Sequence, residues 1–249
     1  MVSIRQYMKG RVMRADVTIL QKHASDFWLA RGAIALTAAL NLVLVNNLTI
    51  GPRWLVPAFE IALLVPLSIA TAWTQERIRQ ATNHHHWNLI VRHRRFVRRF
   101  ALLLTALVTV TNFQALAAVM HALLFDGPKG ASGQSLLLDA LNIWFTNIVV
   151  FALWFWNLDH GGPAMRGLDT ERAADFLFPQ MMAGKIDGIE QWTPGFIDYF
   201  YVSFTNATAF SPTDTMPLSA RSKLLMMVEA GASLLTVGLV AARAVNVLA

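Results

Sequence analysis

The sequence predicts an all-α integral membrane protein of about five transmembrane helices, with a re-entrant helix and loop before the last of them. Three observations predict it. Of 249 residues, 55% are hydrophobic and only 14% charged, against about 25% charged in a soluble domain. The apolar residues gather into runs of roughly 20, the length that crosses a hydrocarbon core about 30 Å thick as a helix. Near the C-terminus, one further semi-apolar stretch is too short to cross and leads into a proline-bracketed loop. The chain has no cysteine, which excludes disulfides, thiolate nucleophiles and cysteine-ligated metals. The net charge of +6 sits beside apolar spans, where such charge sets topology and meets anionic headgroups. No nucleic-acid partner is expected.

Residues 1–26 form a basic arm, with Arg5, Lys9, Arg11, Arg14 and Lys22 against Asp16 and Asp26. No apolar core of a signal peptide precedes Phe27. Val12, Met13, Val17, Ile19 and Leu20 suit an amphipathic surface helix as well as a solvated arm. A three-span region is expected over 27–125. Its first span covers about 27–48, and Gly51-Pro52 turns the chain. The second covers about 54–74 and contains Pro57, Glu60 and Pro66, and the third about 100–125, closed by Asp126-Gly127-Pro128.

Between the second and third spans, residues 75–99 carry Arg77, Arg79, Arg92, Arg94, Arg95, Arg98 and Arg99 against a single acid, Glu76. Arg92, Arg95 and Arg98 fall at every third position, as in a voltage-sensor helix. The neighbouring Arg94, Arg99 and His93 leave little apolar surface, so a cytoplasmic, headgroup-facing helix is the preferred reading. His84-His85-His86 point in different directions on a helix and make a poor metal cage, so a polar loop is expected there.

Residues 135–249 carry the functional reading. An outer helix is expected over 136–158, where Asp139, Asn142 and Asn147 can bond between helices and Trp154 and Trp156 suit an interfacial anchor. An acidic connection follows (159–193, acidic through Asp198). It holds Asp159, Asp169, Glu171, Asp175, Asp187, Glu190 and Asp198 against Arg166, Arg172 and Lys185, and its acidity suggests an extracytoplasmic segment. A short helix over 195–208 starts after Pro194, a non-helical loop covers 209–217, and an inner helix covers 222–248. Non-helical backbone at membrane depth must be buried in protein or line a water-filled cavity.

The run Ser203-Phe204-Thr205-Asn206-Ala207-Thr208-Ala209-Phe210-Ser211-Pro212-Thr213-Asp214-Thr215-Met216-Pro217-Leu218-Ser219 resembles the pore loop of bacterial two-span potassium channels, which commonly reads S-F-x-T-x-T-T-V-G-Y-G-D-x-x-P-x-S. The likeness continues through Ala220-Arg221-Ser222, Glu229-Ala230 and Arg243 and covers roughly the last 115 residues. The whole chain is also similar to a group of bacterial membrane proteins that share this run, a likeness that brings no activity with it. The pore-loop likeness implies a homotetrameric channel in a bacterial inner membrane, with the lipid bilayer and monovalent or other small cations as partners.

The departures are equally specific. Ala209, Phe210, Ser211, Pro212 and Thr213 stand where the filter's T-V-G-Y-G belongs. Both glycines that give a potassium filter its backbone conformation are absent, and Pro212 fixes φ in place of the tyrosine. Potassium selectivity therefore does not follow. Side chains would take over: Thr205, Asn206, Thr208, Ser211 and Thr213 offer neutral oxygens, and Asp214 an acidic ring at the mouth. The expectation is a weakly selective cation pathway; the alternative is a non-conducting scaffold or regulatory protein derived from a pore module.

Glu229, in the first half of an apolar helix, needs a partner or water, and a hydrogen-bonded packing role is preferred. Gly231 and Gly238 suit close packing or a bend. No cofactor or catalytic site is expected, since metal-ligand pairs, a nucleophile elbow and a phosphate loop are all missing from the sequence. A transporter would be expected to show two interrupted helices, and only one is read. Charge counting places residues 75–99 in the cytoplasm and, with five spans, the C-terminus outside; the channel likeness implies the reverse.

Overall fold

A computed structural model describes residues 24–44, 57–62, 64, 84–125, 133–163, 173–182, 192–209 and 214–248. The helices are α1 (Ala24–Leu44), α2 (His84–Phe125), α3 (Gly133–Leu158), the single turn α4 (Pro179–Met182), α5 (Phe196–Ala209) and α6 (Ala220–Leu248). Residues 57–62 are also helical. Two-residue strands β1 (Phe176–Leu177) and β2 (Met216–Pro217) pair antiparallel, Phe176 opposite Pro217.

The protein is an all-α, multi-span, membrane-type helical protein. Three helices are long and apolar enough to cross a bilayer, over Arg95–Ala122, Leu137–Gly161 and Ala220–Ala241. Where the sequence predicts about five spans, these three are the ones of spanning length among the described residues. The apolar part of α1, Trp28–Val43, is shorter, about 24 Å of helix. The second expected span lies outside the described residues apart from 57–62 and 64.

Chain chemistry explains the boundaries. Helix α2 has neither glycine nor proline from His84 to Phe125, and arginine is a good helix former. The basic stretch from His84 therefore continues the apolar span as one helix instead of forming the expected polar loop. At 42 residues it is about 63 Å long, twice the hydrocarbon thickness, so one end stands clear of it. Helix α5 starts after Pro194-Gly195, and the Asp198 carboxylate accepts the Gly195 N–H at 2.6 Å. That is half of a capping box, with an acid in the first turn where the helix dipole favours it. Ser219 caps α6, its Oγ accepting the Ser222 N–H at 3.2 Å.

Helix α3 is the hub, with α1, α2, α5 and α6 all packed on it. Its buried Val149, Phe151, Ala152, Phe155 and Trp156 form the main core with Ala30 and Ile34 of α1, Val108 of α2 and Tyr199 and Val202 of α5. Trp156 is thus fully buried, edge-on to Phe196 at 5.2 Å, and not the interfacial anchor the sequence suggests. Trp154 is half-buried and donates its Nε1–H to Thr109 Oγ1 at 2.9 Å.

Helices α2 and α3 run antiparallel. Arg98 Nε donates to the Asn157 carbonyl (3.3 Å), Trp154 meets Thr109, and Asn112 Nδ2 donates to the Ile143 carbonyl (3.3 Å). The first bond places a cation at the carbonyl end of α3. The basic start of α2 and Asp159, where the acidic connection begins, therefore lie at the same end of the bundle, as the two expected spans between them require. The cysteine-free chain makes a direct check. Cysteines introduced at Arg95 and Met182, both exposed, are expected to react with an impermeant maleimide from one side of the membrane. A cysteine at Ala131, between α2 and α3, is expected to react from the other.

Candidate functional site

Residues brought in by three helices meet around Glu229, which α6 places in its third turn, fully buried. Its carboxyl is bonded by Ser203 Oγ of α5 and, at 2.7 Å, by Asn206 Nδ2 one turn further along. The i, i+3 spacing of Ser203 and Asn206 puts both on one face of α5. Ser203 Oγ also contacts the Ile148 carbonyl of α3 at 2.7 Å, and Asn206 Nδ2 the Met226 carbonyl of α6 at 2.9 Å. On the far side of Glu229, Asn147 Nδ2 of α3 donates to Ser233 Oγ at 3.0 Å and approaches the Glu229 carbonyl at 3.3 Å. Inside apolar surroundings each of these polar groups would be costly alone, and the network gives them partners. It locks a 14-residue helix between two helices of spanning length.

A second network holds the end where α3 finishes and α6 begins. Asp159, fully buried, accepts the Asp175 backbone N–H at 2.6 Å and the Tyr199 hydroxyl at 2.5 Å. The Asp175 carboxylate in turn receives Arg221 through Nε at 2.7 Å and Nη2 at 2.5 Å, the paired geometry suited to a guanidinium. The Asp175 carbonyl accepts Leu218 N–H at 2.8 Å and Ser222 Oγ at 3.1 Å. The chain reaches this position by a left-handed turn: His160, Gly161 and Gly162 have φ of 49°, 82° and 80°. A Cβ on Gly162 would lie 2.5 Å from the Asn157 carbonyl oxygen, so this position requires glycine. Aromatic rings seal the junction, Phe155 against Phe176 (5.1 Å) and Phe178 against Tyr199 (5.4 Å), in the edge-to-face arrangement that rings prefer.

The residues singled out by sequence separate into three groups. Thr205 and Asn206 are buried within the helix bundle. Thr205 Oγ1 bonds back to the Tyr201 carbonyl at 2.8 Å, and both Asn206 amide hydrogens are engaged as above. Thr208 and Asp214 are exposed, with Thr208 Oγ1 on the Phe204 carbonyl at 2.8 Å. Ala209 closes α5, while Phe210, Ser211, Pro212 and Thr213 lie outside the described residues. Gly231 and Gly238 face open space, with no atom within 4 Å of a Cβ built on either, so neither position is packed against another described element.

Sequence reasoning passed over Asp159, Asp175 and Tyr199. The Asp159-His160-Gly161-Gly162-Pro163 run at the end of a span was the available signal, since paired glycines there announce a backbone that other residues avoid. Among the described residues no group of three histidine, aspartate or glutamate side chains could hold a metal. What the arrangement can do is fix a short helix against two long apolar helices. Compared with family models, with curated proteins and with solved structures, the chain finds no match.

Proposed function

We propose that this chain is the subunit of a homotetrameric pore-loop channel that passes cations, with weak selectivity, through a filter unlike that of potassium channels. The observation that carries the reading is α5. At 14 residues it spans about 21 Å, too little to cross, yet buried polar bonds hold it between α3 and α6. In the sequence Phe210-Ser211-Pro212-Thr213 follow its last turn, and β2 and α6 come next. Its C-terminal end carries the partial negative charge of a helix terminus, and Thr208 and Asp214, both exposed in the single subunit, are free to line an axis. Four copies would turn Asp214 into an acidic ring, a recurring route to cation preference. The reading makes the protein a conductor and not an enzyme, set in a bacterial inner membrane.

A second reading draws on Asn206 and Glu229, which turn into the subunit and not toward an axis. Such a pore-derived module would serve as a non-conducting scaffold or regulatory protein.

Flux from liposomes separates the two. Potassium and sodium flux is expected from the wild type, with chloride excluded, and a severalfold fall in cation flux is expected for Asp214→Asn. A verified tetramer passing no ion would favour the scaffold. A protein that stays monomeric would remove the channel reading, because the pore needs four-fold closure.

A further inference from the structure

Another buried carboxyl, Glu60, lies away from the junction, where α1, the helical turn over 57–62 and α3 meet. Asn41 of α1 donates its Nδ2–H to Glu60 Oε1 at 2.6 Å. Its own Oδ1 accepts the Nδ2–H of Asn142 on α3, also at 2.6 Å. Glu60 is 1% exposed, Asn41 and Asn142 7% each. The Asn41 head group therefore sits in the middle of a three-member chain with both ends used.

Two atoms are left over. Glu60 Oε2 and Asn142 Oδ1 are buried and find no partner among the described residues. Both are acceptors, so neither can satisfy the other, and they belong to the two end groups of one chain. A carboxylate removed from water with a single neutral donor also lacks its counter-charge. Among the described residues the charged side chains of these three elements are Asp26 and Arg31 of α1, Glu60 itself and Asp139 of α3. Arg31 stands ten residues before Asn41, about 15 Å along the helix, and Asp139 adds a second acid one turn from Asn142.

We propose that Glu60, Asn41 and Asn142 form a binding site for one monovalent cation, a proton or an alkali ion, held between the Glu60 carboxylate and the Asn142 carboxamide oxygen. One positive charge answers both deficits. A proton on Glu60 Oε2 donates to Asn142 Oδ1 and closes the chain into a ring in which every head group gives one hydrogen and accepts one. An alkali ion takes the same two oxygens and neutralises the same charge, completing its shell with water. Water alone supplies hydrogens and leaves the charge. The site is independent of the pore reading, since it lies on the other face of α3 from Asn147 and uses α1.

The test uses the full chain in detergent, with wild type, Glu60→Gln and Asn142→Ala. Thermal unfolding is followed in NaCl, KCl and LiCl against choline chloride, and the carboxyl stretching band is recorded by infrared difference spectroscopy between wild type and Glu60→Gln. Glutamine can donate toward Asn142 Oδ1 and accept from Asn41 as a protonated glutamate does, with one further N–H, and carries no charge. If the cation is a proton, alkali salts leave the melting temperature unchanged, the difference spectrum contains a protonated-carboxyl band, and Glu60→Gln melts like the wild type. If it is an alkali ion, the wild type gains several degrees as the ion reaches about 100 times its half-effect concentration, and both variants lose the gain. The absence of both an ion-dependent shift and a protonated-carboxyl band would overturn the proposal. Should Glu60→Gln not fold, Asn142→Ala decides. It must shift the carboxyl band or abolish the ion response, and a variant that does neither also sinks the proposal.

Discussion

Glu229→Ala is expected to lower the unfolding free energy by about 3 kcal/mol, measured by thermal or denaturant unfolding in detergent. Two costs add. Asn206 loses the acceptor for one amide hydrogen at a fully enclosed site, and an unmet buried donor costs about 1–3 kcal/mol. Removing most of the side chain also leaves a void, at about 24 cal/mol per Å³. Relief from burying the carboxyl offsets part of this, and hydrogen bonds between membrane helices run at the low end of the range. Two further variants separate the terms. Glu229→Leu restores volume but no acceptor, so it is expected to lose about half as much as alanine. Glu229→Gln keeps an acceptor for Asn206 and presents a donor to Ser203, so its loss is expected to be about 1 kcal/mol or less. If leucine proved equal to wild type, packing and not hydrogen bonding would be what Glu229 supplies.

The elements that could be read from sequence are those whose signal is local. Pro194 and Asp198 mark the start of α5 because a proline at a helix start and an acid in the first turn act within a few residues. Glu229, Asn142 and Asn147 stood out because a polar group in an apolar helix must find a partner, though the sequence did not say which. Naming Ser203 and Asn206 needed the pairing of α5 with α6, a contact between chain segments more than 20 residues apart. Asp159 and Asp175 were legible only as charge in an acidic connection, since their role comes from turning back onto Tyr199 and Arg221. The shared end of the basic and acidic segments was legible, because two expected spans separate residues 99 and 159 and an even number returns the chain to the same side, even though charge read segment by segment opposed it. The continuation of α2 through His84 was in principle readable, because no helix breaker interrupts it; the density of charge outweighed that negative signal.

Asp159→Ala is expected to cost about 3 kcal/mol, although it breaks no ion pair. The variant strips the acceptor from the Asp175 N–H and the Tyr199 hydroxyl together, and both residues are almost wholly buried. Each unmet donor carries about 1–3 kcal/mol. The ion pair is one-sided: the Arg221 side chain is half exposed but the Asp175 side chain is buried, so Arg221→Ala takes the cation from a buried carboxylate and is expected to cost about 1–3 kcal/mol. Tyr199→Phe removes donor and demand together at the hydroxyl and is expected to cost about 1 kcal/mol. Combined with Asp159→Ala, it should cost less than the sum of the two singles, because the alanine variant no longer has an orphaned hydroxyl to lose. Asp159→Asn falls between, since its single oxygen can serve one donor while its amide opposes the other. Strict additivity in the double variant would mean that Tyr199 and Asp159 do not share a bond. In that case α5 would be held at its N-terminal end by its own capping residues and by aromatic packing, and the acidic connection would contribute nothing to seating it.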